Sequence, residues 1–183
     1  RTYDGVTEED EEKLDLGREI FNISNIKGNI LLRSGKISKE YFDKYLFESN
    51  PIILKEIAEH ISQLIPKDID SLAGLEMGGI PIATAISLKT GIPCLFVRKK
   101  AKEYGTCKLA EGGDVESKRI IIIEDVITSG GAVINAVESL RDLGAIIDTV
   151  CCVIDREENG RESLKKLGLE LNALFTKSEL ISG

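Results

Sequence analysis

The stretch Arg119-Ile120-Ile121-Ile122-Ile123-Glu124-Asp125-Val126-Ile127-Thr128-Ser129-Gly130-Gly131 decides how this chain folds. An unbroken β-branched run is the pattern of a central strand buried on both faces. It runs into two adjacent acids, Glu124 and Asp125. Neighbours on a regular strand point to opposite faces, so both acids become usable only where the strand ends and turns. The expectation is a strand over 119–123, a turn carrying both acids, and a helix opening at Thr128-Ser129-Gly130-Gly131. Small residues there let backbone N–H groups face a ligand, hydroxyls add donors, and the helix N-terminus favours an anion. Acids beside such a cradle suit a sugar phosphate, the carboxylates accepting from ribose hydroxyls while the N–H groups hold the phosphate. The plain alternative is a strand–turn–helix in which acids and hydroxyls only cap the helix. The nucleotide-binding patterns GxxxxGK[ST] and GxGxxG are both absent.

Outward from this segment, strands and helices alternate. Downstream, 130–143 reads as a helix with Val133, Val137 and Leu140 on one face, 145–154 as a strand, 161–167 as a short helix and 169–175 as a last strand. Upstream, 71–75 and 93–97 read as strands around a helix at 79–89, and 98–117 is a polar, glycine-containing interruption. Asn50-Pro51 starts a helix carrying Ile53, Ile57, Ile61 and Leu64. Before it come an acidic-headed helix over 8–22 and a short β region made of 29–32, a turn at Ser34-Gly35-Lys36, and the aromatic stretch over 39–47. This alternation predicts an α/β domain with a mainly parallel central sheet flanked by helices and right-handed crossovers. Ligands in such a fold bind beyond the carboxyl ends of the strands. The chain divides into an N-terminal helix and hood region, 1–48, and a core, 49–183, within one structural unit.

The 183 residues are 42% hydrophobic, enough for one sizeable core. A net charge of −7 disfavours nucleic acid and anionic membrane as partners. No apolar run approaches the roughly 18 residues of a membrane span. The acidic N-terminus has no signal-peptide core, and its start at Arg1 rather than Met is what processing or trimming would leave. Cys94, Cys107, Cys151 and Cys152 show no CxxC spacing, so free thiols in a reducing cytoplasm are expected rather than a zinc site. His60, beside the isoleucine stripe, reads as structural, and no Ser-His or Cys-His pair points to a covalent nucleophile.

The run Glu124 to Gly131 resembles the phosphoribosyl-diphosphate (PRPP) signature of type I phosphoribosyltransferases. Further segments across most of Gly28 to Phe175 resemble the orotate phosphoribosyltransferase family in particular. Arg98-Lys99-Lys100-Ala101-Lys102, with the glycine-containing residues after it, resembles that family's flexible catalytic loop, although Tyr104 stands where many members have histidine. Gly74 to Pro81 resembles its diphosphate-binding loop, with Gly78 where some members have lysine. Leu32 to Lys36 and Glu40 to Asp43 resemble a hood over the base. Asp155-Arg156-Glu157-Glu158-Asn159-Gly160 resembles the family's DR-x-E-x-G segment, whose arginine binds orotate. A guanidinium fork matches a carboxylate, which orotate carries and uracil, adenine and hypoxanthine lack.

The resemblance implies a type I phosphoribosyltransferase fold with a small N-terminal hood, and the conversion of orotate and PRPP to orotidine 5′-monophosphate and diphosphate in pyrimidine (UMP) biosynthesis. It implies Lys99, Lys102 and Asp125 as catalytic residues. PRPP would be bound by Arg98, Lys99, Lys102, Tyr104, Glu124, Asp125, Val126, Ile127, Thr128, Ser129, Gly130, Gly131 and Ala132, with Met77 and Gly78. Orotate would be held by Arg33, Tyr41, Phe42, Thr128 and Arg156. Mg²⁺ is the implied cofactor, carried mainly by substrate oxygens rather than by a protein metal site. A cytoplasmic homodimer is implied, with loop 98–114 reaching the partner's site. Three readings compete with this one: transfer to another nucleobase, a non-catalytic PRPP-sensing regulator, and a receiver-like or plain structural α/β domain.

Overall fold

In the computed structural model, which describes residues 5–182, the isoleucine run lies at the centre of a six-stranded sheet. Residues 1–4 of the acidic N-terminus and residue 183 lie outside the described residues. The chain opens with α1 (Glu8–Ser24), started by a reciprocal cap between Thr7 and Asp10. An antiparallel hairpin of β1 (Asn25–Leu31) and β2 (Ile37–Phe42) follows, and then two helices, α2 (Lys44–Glu48) and α3 (Pro51–Ser62). Next come β3 (Ser71–Leu75), α4 (Gly79–Thr90), β4 (Cys94–Val97) and a two-residue β5 (Ala110–Glu111). The second half holds β6 (Ile120–Ile127), α5 (Gly131–Asp142), β7 (Thr149–Asp155), α6 (Gly160–Lys165), β8 (Glu170–Thr176) and α7 (Lys177–Ser182).

The sheet order is β5-β4-β3-β6-β7-β8, parallel except where β5 pairs with β4. Alternation along β6 divides the core in two. Ile121 and Ile123 pack with α1, α3 and α4, while Ile120 and Ile122 pack with α5 and α6. Leu16 and Ile20 of α1 and Phe47 of α2 belong to the first of these clusters, so the N-terminal elements share apolar packing with α3 and α4. Their burial, each worth about 1.5–3 kcal/mol, fixes the hairpin region beside the carboxyl end of β6.

Four expectations are corrected. The central strand continues to Ile127 instead of ending at Ile123, because β7 offers partners to the end: Glu124 pairs with Cys152, Val126 with Ile154 and Ile127 with Asp155. Glu124 and Asp125 therefore lie inside a strand, not on a turn. The stretch expected as β over 39–47 breaks at Asp43, whose carboxylate accepts from the Tyr45 N–H and starts α2. The last strand but one begins at Thr149, although Ala145 and Ile147 ahead of it are already buried. The interruption over 98–117 contains β5, and α7 was not expected at all.

Candidate active site

The carboxyl end of β6 collects the acids. Asp125 and Glu124 are 1% and 8% exposed, and Glu48 of α2, at 3%, lies against them. One cation answers them: Lys44 Nζ stands 2.8 Å from Asp125 Oδ2. The Glu124 carboxylate accepts from the Asp125 N–H at 3.1 Å, and Asp125 Oδ1 accepts from the Val126 N–H at 2.7 Å. Three ionised carboxylates cannot share one ammonium in so dry a corner. Burial, and then the neighbouring Asp125, push Glu48 up to about 10 and Glu124 up to about 9. Burial also pushes Asp125 up, but donation from Glu48, Glu124 and Lys44 outweighs it and holds Asp125 below the usual carboxylate range. The cluster at neutral pH is one aspartate, one ammonium and two protonated carboxyls.

The β3–α4 loop covers this cluster so closely that a side chain at its glycine would force the carboxylate or the loop to shift. A Cβ at Gly78 would lie 1.9 Å from Asp125 Oδ2. The lysine that some family members carry there would displace the carboxylate. Met77 beside it is exposed. Beyond β6, Thr128 and Ser129 are exposed, and Gly130 takes φ +86°, a left-handed turn that leads into α5. Ser129 Oγ accepts from the Gly131 N–H at 3.4 Å, and the N-terminus of α5 at Gly131 and Ala132 opens to solvent. Backbone N–H groups without helical partners and a positive dipole end make this an anion cradle.

A cavity of about 490 Å³ lies between the hairpin and the ends of β6 and β7. Tyr41, Phe42, Val126 and Arg156 line it, together with Lys177 of α7. Arg156 leaves β7 as its backbone N–H donates to the Ile127 carbonyl at 2.9 Å, and its Nε is only 3.9 Å from Glu158 Oε2. Two residues expected at the base do not join this wall. Arg33 sits exposed on the hairpin turn, and Thr128 belongs to the phosphate cradle.

A smaller cavity, about 210 Å³, brings Arg98 and Lys99 together with Glu76, Ala132 and Asn135. The Lys99 N–H donates to the Glu76 carboxylate. Lys102 stays with its own loop: its Nζ lies 2.8 Å from Glu111 Oε2, and Arg98 approaches the same oxygen at 3.4 Å. Tyr104 is exposed, with Lys102 Nζ 6.0 Å from its ring centre. Within one chain, then, Lys102 faces Glu111 rather than the acid cluster.

The geometry agrees with what comparison finds. A family model described as a phosphoribosyl transferase domain matches residues 46–175. An orotate phosphoribosyltransferase from a Nocardioides species is 52% identical over 165 residues, 90% of this chain and 92% of that protein. The chain belongs to the orotate phosphoribosyltransferase family. Among solved structures of the family, that of Mycobacterium tuberculosis superposes with a TM-score of 0.84 at 28% identity, over 92% of this chain and 98% of that one. The same bacterial protein in complex with 5-phospho-alpha-D-ribosyl 1-diphosphate gives a TM-score of 0.79 at 26% identity, again over 92% and 98%. The fold is the type I phosphoribosyltransferase fold, a mostly parallel sheet flanked by helices.

Lys44, Glu48, Glu76 and Lys177 were not expected at the site. Lys44 was hidden by reading 39–47 as β, and Glu48 by lying just past that stretch, so neither was set on a helix packed against the carboxyl end of β6. The signal that would have found them is Asp43, a good N-cap followed by Lys-Tyr-Leu-Phe-Glu. On a helix, Lys44 and Glu48 are four apart and share one side.

Proposed function

We propose that this enzyme transfers the phosphoribosyl group of PRPP to orotate, releasing diphosphate, and that it does so as a cytoplasmic homodimer. The observation that carries the reading is the cavity in which Tyr41, Phe42 and Arg156 converge beside Val126 of the signature strand. A flat ring fits against the two aromatics, and a guanidinium answers a carboxylate with two parallel hydrogen bonds. A purine or uracil would leave that fork unpaired, which favours orotate over the other nucleobases.

PRPP would lie across the carboxyl end of β6. The N–H groups and hydroxyls of Thr128 to Ala132 hold the 5′-phosphate, with Val126 and Ile127 as backbone beneath. Asp125 accepts from a ribose hydroxyl, while protonated Glu124 donates as well as accepts. Met77 and Gly78 border the diphosphate, and Arg98 and Lys99 meet it from β4. Mg²⁺ would be carried mainly by substrate oxygens and water rather than by these carboxyls, since Glu124 is raised toward its protonated form and Asp125 is paired with Lys44. When bound, Mg²⁺ neutralises part of the diphosphate charge. As the C1–O bond to diphosphate breaks, positive charge develops on the ribose, and the pyrimidine N1 forms the new bond from the opposite face. Catalysis is then positioning and stabilisation of the leaving group, with Lys102 of loop 98–114 supplied by the partner subunit.

The test follows orotate absorbance after adding PRPP and Mg²⁺, with uracil and hypoxanthine in parallel, for the wild-type protein and Arg156→Met. Orotate loss that needs PRPP is expected. The variant should raise the KM for orotate about tenfold or more, as loss of a charge-assisted pair implies, and change the KM for PRPP far less. Turnover of a purine alone would overturn the orotate reading. PRPP binding without turnover of any base would favour the sensor.

A further inference from the structure

We propose that Lys44 is a positioning residue for ribose recognition, holding the Asp125 carboxylate in its productive place and tying it to the wall of the base cavity. The proposal rests on the assignment of Asp125 to the ribose of PRPP and adds to it a residue outside the signature.

Asp125 Oδ2 has little freedom, because the Gly78 backbone stands so near that a Cβ there would lie at 1.9 Å. Among the described residues one charged partner reaches that oxygen, Lys44 Nζ at 2.8 Å, from a helix outside the sheet. The other titratable groups facing Asp125 are acids, Glu48 from α2 and Glu124 from β6 itself. Without Lys44 the corner would hold three carboxyls and no cation. Asp125 would then swing away from its neighbours, and the fixed acceptor that a ribose hydroxyl needs would be lost. Lys44 itself is held, with its side chain 34% exposed and its Nζ 5.3 Å from the Tyr45 ring centre.

The same residue reaches across to the base. Lys44 begins α2, and Asp43, its N-cap, follows directly on Tyr41 and Phe42 of the cavity wall. Ribose recognition and base recognition therefore draw on one short piece of backbone, Tyr41 to Lys44.

The experiment measures kcat and both KM values for Lys44→Met and Lys44→Arg, and PRPP binding by calorimetry for Lys44→Met, Asp125→Asn and the double variant. Lys44→Met should raise the KM for PRPP about tenfold, equal to 1.4 kcal/mol, with a smaller fall in kcat. Lys44→Arg, which keeps the charge, should recover most of that loss. In the double variant, Lys44→Met should add almost nothing to Asp125→Asn, since its target is gone. Full additivity, or an unchanged KM for PRPP in Lys44→Met, would overturn the proposal. If Lys44→Met does not fold, Lys44→Gln carries the same comparison. Wild-type protein that fails to consume orotate with PRPP defeats the functional reading itself, an outcome separate from any effect at Lys44.

Discussion

The acid cluster at the end of β6 and the basic loop 98–114 hold opposite charges in opposite ways. Asp125, Glu124 and Glu48 are buried, and their charge is balanced internally by Lys44 and by two retained protons. Arg98 and Lys102 lie half-buried and Lys99 exposed along a loop, and the first two pair with Glu111 of that loop. The difference follows the substrate. Ribose hydroxyls are neutral and directional, so their acceptors must be fixed beforehand, and a buried cluster fixes them. A diphosphate leaving group carries its charge in and out with each turnover, so its cations must arrive and withdraw. The pairs to Glu111 are half-buried, with side chains 16–38% exposed, and must break for the loop to deliver its cations.

The largest effect that would sharpen this contrast concerns where the loop acts. Lys102→Ala and Asp125→Asn should each lower activity about a hundredfold or more, since each removes charge placed at the reacting group. Mixed as heterodimers, they should regain activity, because one site then has both residues intact. Statistical mixing of a two-fold dimer predicts roughly a quarter of the wild-type rate. No recovery in proven heterodimers would place Lys102 and Asp125 in the same chain's site and end the division between a fixed half and a visiting half.

A somewhat smaller effect probes the fixed half alone. Gly78→Ala puts a methyl where the Asp125 carboxylate now stands. The carboxylate or the loop must shift by most of an ångström, and kcat/KM for PRPP should fall roughly 30-fold, in line with the cost of such misplacement. Thermal stability should change little by comparison, because the loop can give. An alanine variant with wild-type kinetics would show that Asp125 is not held where it acts.

Much of this arrangement was legible in the residues, and the parts that were not share a cause. The isoleucine run gave away the central strand, buried on both faces. Thr128 to Gly131 announced the turn into α5. The strand end was misplaced by four residues because the acids were read as turn formers, when β7 supplies ladder partners as far as Ile127. The buried state of Glu124 and Asp125 is a tertiary fact, fixed by Gly78 and α2, which no local pattern contains. Lys44 was lost for a different reason: aromatic residues before and after Asp43 suggest β, and a single capping bond overrides them. The proposed reach of loop 98–114 to a partner subunit would leave no mark on local periodicity either.

The smallest effect tests the protonated carboxyls that let the cluster stay buried. Glu48 is raised to about 10 from an ordinary 4.5. A group raised in the folded state binds a proton that the unfolded chain releases, so the stability it contributes is full below 4.5 and declines as pH climbs toward 10. The decline is at most about 1.4 kcal/mol per pH unit. Glutamine carries the shape of the protonated acid and does not titrate. Glu48→Gln should therefore differ little from wild type near pH 5 and exceed it in melting temperature near pH 8.5, the gap widening by about 3 °C or more. Asp125, held low, runs the other way: its contribution is present above its ordinary 3.8 and fades only as pH falls through its folded value, so it does not confuse the alkaline comparison. An equal gap at both pH values would mean that Glu48 is already ionised at neutral pH. Asp125 would then face a second negative charge, and the fixed half of the site would need more than Lys44 to hold it.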